Sequence, residues 1–264
     1  MNILFLVTVL GSSTLTAVEQ AEDAYRRGLE TRDRATVARG HFREAAIQYD
    51  LAWEDTNRSP GLARHRAQAW FLAGDTGRSI LAYRDGLKLF PEDQALLSGL
   101  RFTREQVILP PMADLADACR PMPPPVSQQA IPPMAFFLVF VAMSIAGGGL
   151  LLQWLSRRRI ESLFAGLIFS TLAWGGVWTW HSTQEQHADH WAKPVAVLTE
   201  PAFLRTGNNA EFPKRFDQPI PAGVETTPLE ERGGWLYVRL PGGQPGWLPL
   251  TAIARTHPPE TPRP

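Results

Sequence analysis

One cysteine, Cys119, in 264 residues leaves no internal disulfide and no thiolate-rich metal site. Two readings of that residue stand: an idle thiol, or one that cross-links two copies of the chain. No cysteine follows the apolar start of the sequence, which excludes lipid attachment there. Charge of one sign is not in excess either. Lys+Arg and Asp+Glu are equal at 26 each, and residues 18–109 carry 14 of each, so no field draws in nucleic acid. The six histidines are scattered, HExxH and GxSxG are absent, and Gly147–Gly149 has no following Lys that would make it a phosphate loop. No enzyme and no cofactor is expected.

Ionisable residues are also missing from 134–155 and from 162–180, on either side of Arg157, Arg158 and Arg159. Charge-free runs of this length, at about 1.5 Å per residue, approach a hydrocarbon core of about 30 Å, and they predict a two-helix transmembrane hairpin at 134–155 and 162–181. An anchor is the favoured use, since no intramembrane charge offers an ion path; a two-span transporter is the other. Gly147, Gly148, Gly149, Gly166, Gly175 and Gly176 would let the two helices touch, and Trp154, Trp178, Trp180 and Trp191 would sit at the interfaces. The positive-inside rule puts the arginine turn, 156–161, in the cytoplasm and both flanking regions outside, giving a bacterial inner-membrane protein with periplasmic domains. A signal-like segment at 1–17 agrees: Asn2–Leu10 is apolar, small residues follow, and Ala17 offers a cleavage point, although no Lys or Arg precedes the run.

Repetition organises the first third. Gly40, Ala45, Tyr49 and Ala52 recur 34 residues later as Gly74, Ser79, Tyr83 and Gly86. Small residues where paired helices cross, with an aromatic to fill the groove, are the needs of a helix–turn–helix unit. With Ala67, Trp70, Leu87 and Pro91, the second copy resembles a tetratricopeptide repeat; the first, with Thr36 and Asn57 at the positions of Trp70 and Pro91, matches in part. A turn is expected at Thr31–Asp33, a long helix over 34–53, and a capping helix over 93–108 opened by Asp93. By the resemblance, 18–109 is a helical repeat domain whose concave face holds a peptide or partner, with Arg64, Gln68 and Phe71 as groove candidates. The competing reading leaves Arg64 and Gln68 solvated and Phe71 in the core.

Eight prolines between 110 and 133 read as a semi-rigid linker, or more weakly as a proline-rich ligand, with a short helix at 112–119. The piece at 182–192 is polar; His187 and His190 share a helix face there and would bind zinc or sense pH only with a supporting shell that the sequence does not supply. From 193 to 256 short β-rich runs alternate with Gly, Pro and Asn, as in a small barrel. Arg205-Thr206-Gly207, Ala222-Gly223-Val224, Gly233-Gly234-Trp235-Leu236-Tyr237-Val238 and Gly246-Trp247-Leu248 resemble a bacterial SH3 domain. Trp235 and Tyr237 fall on one strand face and Leu236 and Val238 on the other; the sequence leaves open which face is buried. Trp235, Tyr237 and Trp247 are accordingly either an aromatic ligand groove or cross-strand core, and the two tryptophans are expected to meet across a hairpin turned at Gly242-Gly243. Residues 257–264 read as a disordered tail.

The order of parts resembles the BatE-type proteins of bacterial aerotolerance operons. That resemblance implies a multidomain chain: an all-α tetratricopeptide-like repeat, a two-helix transmembrane hairpin and a small all-β SH3-like barrel. It further implies a non-enzymatic, membrane-anchored scaffold whose partners include von Willebrand-factor-A-type membrane proteins and a cytoplasmic MoxR-type ATPase, the latter out of direct reach of a chain with three cytoplasmic arginines. The alternative is a cell-envelope module that grips peptidoglycan through the SH3-like part, with the repeats as spacer.

Overall fold

A computed structural model describes residues 3–54, 58–121, 133–157, 164–165, 167–172, 174–176, 178 and 190–256, with side chains undescribed at 3–16, 133–136, 154, 156 and 157. The chain divides into two compact units, Met1–Met122 with Ala192–Pro264, and Pro123–Trp191. The helical region and the β region, separate in sequence, thus belong to one unit.

In that first unit α1 (Ile3–Glu30) and α2 (Ala35–Glu54) form one antiparallel hairpin, with the handover at the expected turn near Thr31. No break marks Ala17; α1 runs through it. The next hairpin is α3 (Pro60–Leu72) and α4 (Thr76–Leu89), followed by α5 (Gln94–Glu105). Local chemistry sets these ends. Ser59, Asp75 and Asp93 each accept a hydrogen bond from the backbone N–H three residues on, at 2.9 to 3.1 Å, satisfying one of the orphan donors of a helix start. Gly74, at φ +86°, makes the tight turn from α3 to α4, and Pro91 follows the end of α4.

Small residues let the helices close up. A Cβ on Gly86 would stand 2.7 Å from that of Ala63, so α3 and α4 touch at the position where the repeat pattern places a small residue. Ser79 donates to the Ala67 carbonyl at 2.8 Å across the same seam. Trp70 and Tyr49 are buried, and the Trp70 indole N–H reaches the Asp50 carboxylate at 3.1 Å. Arg66, also buried, pairs with Asp50 and with Asp85 (3.0 Å), tying α2, α3 and α4 together through one guanidinium. Burial disfavours the charged guanidinium, but the two carboxylates and their hydrogen bonds overcome it and hold its pKa above the ordinary value.

The β part is a five-stranded antiparallel sheet in the order β4-β3-β2-β1-β5, from β1 (Ala196–Leu198), β2 (Glu225–Arg232), β3 (Trp235–Arg239), β4 (Pro245–Pro249) and β5 (Ile253–Arg255). Strand β5 has no counterpart in the sequence expectation. The long segment between β1 and β2 adds to the edge, Arg205 bridging Trp247 with paired backbone hydrogen bonds of 2.9 Å. Leu204, Leu236, Val238, Leu240 and Leu248 fill the interior. A short helix, α6 (Ala113–Cys119), plugs the same core with Leu115, Ala118 and Cys119, so the proline-bounded segment does more than space two domains.

Helices and sheet meet closely. A Cβ on Gly77 of α4 would lie 2.2 Å from the Leu198 carbonyl oxygen, and the Gly242 N–H donates to the Ala118 carbonyl at 3.0 Å. Glu225 of β2 receives Arg104 at 2.5 and 2.9 Å and stands 3.5 Å from Arg84, a contact of α4 and α5 with the sheet in which all three side chains are largely shielded from water.

The second unit contains α7 (Pro133–Arg157), and the described residues between 164 and 178 are also helical. Among the described residues no helix is long and apolar enough to cross a membrane. The expected transmembrane hairpin at 134–155 and 162–181 is therefore corrected: the described chain is helical with a five-stranded antiparallel sheet, and the inner-membrane location that rested on the hairpin falls with it. A span requires about 20 consecutive apolar residues in one helix, and the described residues contain no such stretch. Among the described residues, a Cβ on Gly148, Gly149 or Gly175 meets nothing within 4 Å. Of the turn expected at 156–161, residues 156 and 157 belong to α7, while 158–161, Trp180, His187 and the tail 257–264 lie outside the described residues.

Candidate functional site

Two surfaces gather the residues singled out from sequence. On α3, Arg64 is exposed while Gln68 and Phe71 are half-buried, and spacings of four and three keep them on one face. Phe71 meets Phe102 of α5 edge-on, ring centroids 5.5 Å apart, and Phe102 remains 53 % exposed. Phe71 is thus neither free nor core: it forms half of an aromatic pair open to solvent. Around Arg64 stand Tyr83 and His65. Burial raises the Tyr83 hydroxyl, with Arg64 pulling the other way, and burial lowers His65, with Arg64 adding to the effect. Tyr49, 6.0 Å from the His65 ring, is pushed up to about 12 by burial and then by Glu22 and Tyr25. Both tyrosine side chains are buried and belong to the packing beneath this face. Phe102 was missed in sequence because it was read with the capping helix; its own signal was a lone aromatic outside that helix's Leu96, Leu97, Leu100 stripe.

On the sheet the open question of facing resolves. Leu236, Val238 and Leu248 are buried, whereas Trp235, Tyr237 and Trp247 are half-buried on the opposite face. Register pairs Tyr237 with Trp247 and Trp235 with Pro249, so the two tryptophans lie diagonally and the direct aromatic pair is Tyr237–Trp247, centroids 5.0 Å apart and tilted by 38°. The expected tryptophan–tryptophan contact is replaced because Trp235 faces Pro249 across the strands. Pro245 and Pro249, two residues to either side of Trp247, share its face. Such a ledge offers apolar, rigid area to a flat or extended ligand at small entropic cost.

Other candidates come apart. Cys119 is buried in the sheet core, and burial pushes its thiol up to about 11, so it is a packing residue closed to cross-linking in the folded chain. His187 is outside the described residues, and among those described no group of three or more His, Cys, Asp or Glu could hold a metal.

Comparison with known proteins returns no matching family model, no matching curated sequence and no matching solved structure.

Proposed function

We propose that the protein is a non-enzymatic scaffold that holds partner proteins or peptides on two surfaces, the α3/α5 face and the outer face of the sheet. The observation that carries the reading is the orientation of the sheet: its aliphatic residues complete the core, and Trp235, Tyr237 and Trp247 stand on the other face, where contact with a partner is the use that repays leaving them half-exposed. The Phe71–Phe102 pair beside Arg64 and Gln68 supports a second contact on the helical side. Because helices and sheet form one unit, two weak contacts would be presented together and reinforce each other.

Panning a random dodecapeptide display library on the full chain tests this. Selected peptides should lose binding to Tyr237→Ala/Trp247→Ala or to Phe71→Ala/Phe102→Ala; a library that yields no binder, or binders indifferent to all four changes, contradicts it. The half-exposed Tyr237–Trp247 pair also favours a second reading, in which the ledge stacks on the sugars of cell-wall peptidoglycan. Co-sedimentation of the full chain with purified wall, abolished by Trp247→Ala, would support that reading over the peptide one.

A further inference from the structure

We infer that the outer face of the sheet docks an acidic peptide segment of a partner protein, an inference that rests on the scaffold reading above and names the chemistry of one of its two ligands. Register lays out the face in rows. Arg205 bridges Trp247, which pairs with Tyr237, which pairs with Glu230; the next row is Pro249, Trp235 and Arg232, and the row on the other side is Pro245, Arg239 and Thr227. Residues opposite each other in an antiparallel pair share a face, so three arginines border the aromatic ledge against one carboxylate, Glu230. Arg232 and Arg239 are exposed and Arg205 is half-buried.

None of the three forms an ion pair among the described residues, in contrast to Arg255, which pairs with Glu231 at 2.7 Å, and to Arg84 and Arg104, which meet Glu225. Arg205 is instead aimed by a hydrogen bond from Nη1 to the Phe212 carbonyl at 2.8 Å. Lys214, over the Phe203 ring at 3.7 Å, adds a cation beside the same strand. An apolar floor with cations on three sides is complementary to an extended segment whose carboxylates reach outward while its backbone and apolar groups lie on Tyr237, Trp247 and the prolines. The charge is local. Residues 192–256 carry seven basic and six acidic side chains, too balanced to hold a long polyanion such as nucleic acid by its backbone.

The test uses the full chain and the same random dodecapeptide library, with the sequences of binders that depend on Tyr237 and Trp247 as the readout. Those binders should be rich in Asp and Glu, and synthetic copies should bind Arg205→Gln/Arg239→Gln about tenfold more weakly and lose affinity as NaCl is raised. Neutral or basic binders, or acidic binders unaffected by the double substitution, overturn the inference while leaving the scaffold reading intact. No ledge-dependent binder at all overturns both for this face, as does preferential binding of an oligouronate or of single-stranded oligothymidylate over the selected peptides.

Discussion

Two regions of one compact unit use their aromatic and charged residues in opposite ways. In the helices, Trp70, Trp53, Tyr49 and Tyr83 are buried, and Arg66 is folded between Asp50 and Asp85. In the sheet, the interior is aliphatic, and Trp235, Tyr237 and Trp247 with Arg205, Arg232 and Arg239 are turned outward. The difference follows from shape. Crossing helices built on Ala and Gly leave irregular gaps that large rings and a forked guanidinium can fill, whereas a small rolled sheet has room inside only for branched aliphatics on alternate positions. The same residue types are therefore mostly interior in the helices and turned outward on the sheet.

Removing a buried charge should break the helical side hardest. Arg66→Ala leaves Asp50 and Asp85 facing each other without their cation, and equilibrium urea unfolding should show a loss of about 4 kcal/mol. A loss under about 1 kcal/mol would mean that the triad is not shielded as described. Leu236→Ala, in the sheet interior, should cost about 3 kcal/mol by the same measurement, since it leaves a cavity among Leu204, Val238 and Leu248.

The seam between the regions is sharpened by Gly77→Ala. On an isolated helix this change would stabilise by about 1 kcal/mol, but here the new methyl meets the backbone carbonyl of Leu198, which cannot rotate away. A net loss of about 2 kcal/mol is expected, and a gain would show that α4 does not pack on β1.

Much of this architecture was legible and some was not, for physical reasons. The 34-residue offset marks small positions, of which Gly86 packs against Ala63 while Gly40 has open space around it; Asp93 announces a helix start because its side chain bonds locally, and Asp75, not read from sequence, does the same. Period-two alternation at Trp235–Val238 placed two faces but not their direction, since both carry apolar residues and only the position of α6 and the neighbouring strands decides. Glu225 with Arg84 and Arg104 could not be read from sequence: the partners are 121 to 141 residues apart, and nothing local links them. The apolar runs at 134–155 and 162–181 predicted spans from composition alone, and among the described residues no helix is long and apolar enough to be one.

The central claim, that the sheet's outward aromatics serve contact and not the fold, is tested most directly by equilibrium unfolding of Tyr237→Ser/Trp247→Ser beside the parent chain. The account predicts a loss of no more than about 1.5 kcal/mol, the scale of one half-exposed aromatic pair, with a single unfolding transition retained. A loss of about 4 kcal/mol or more, equal to gutting the interior, would contradict it and return these residues to the core.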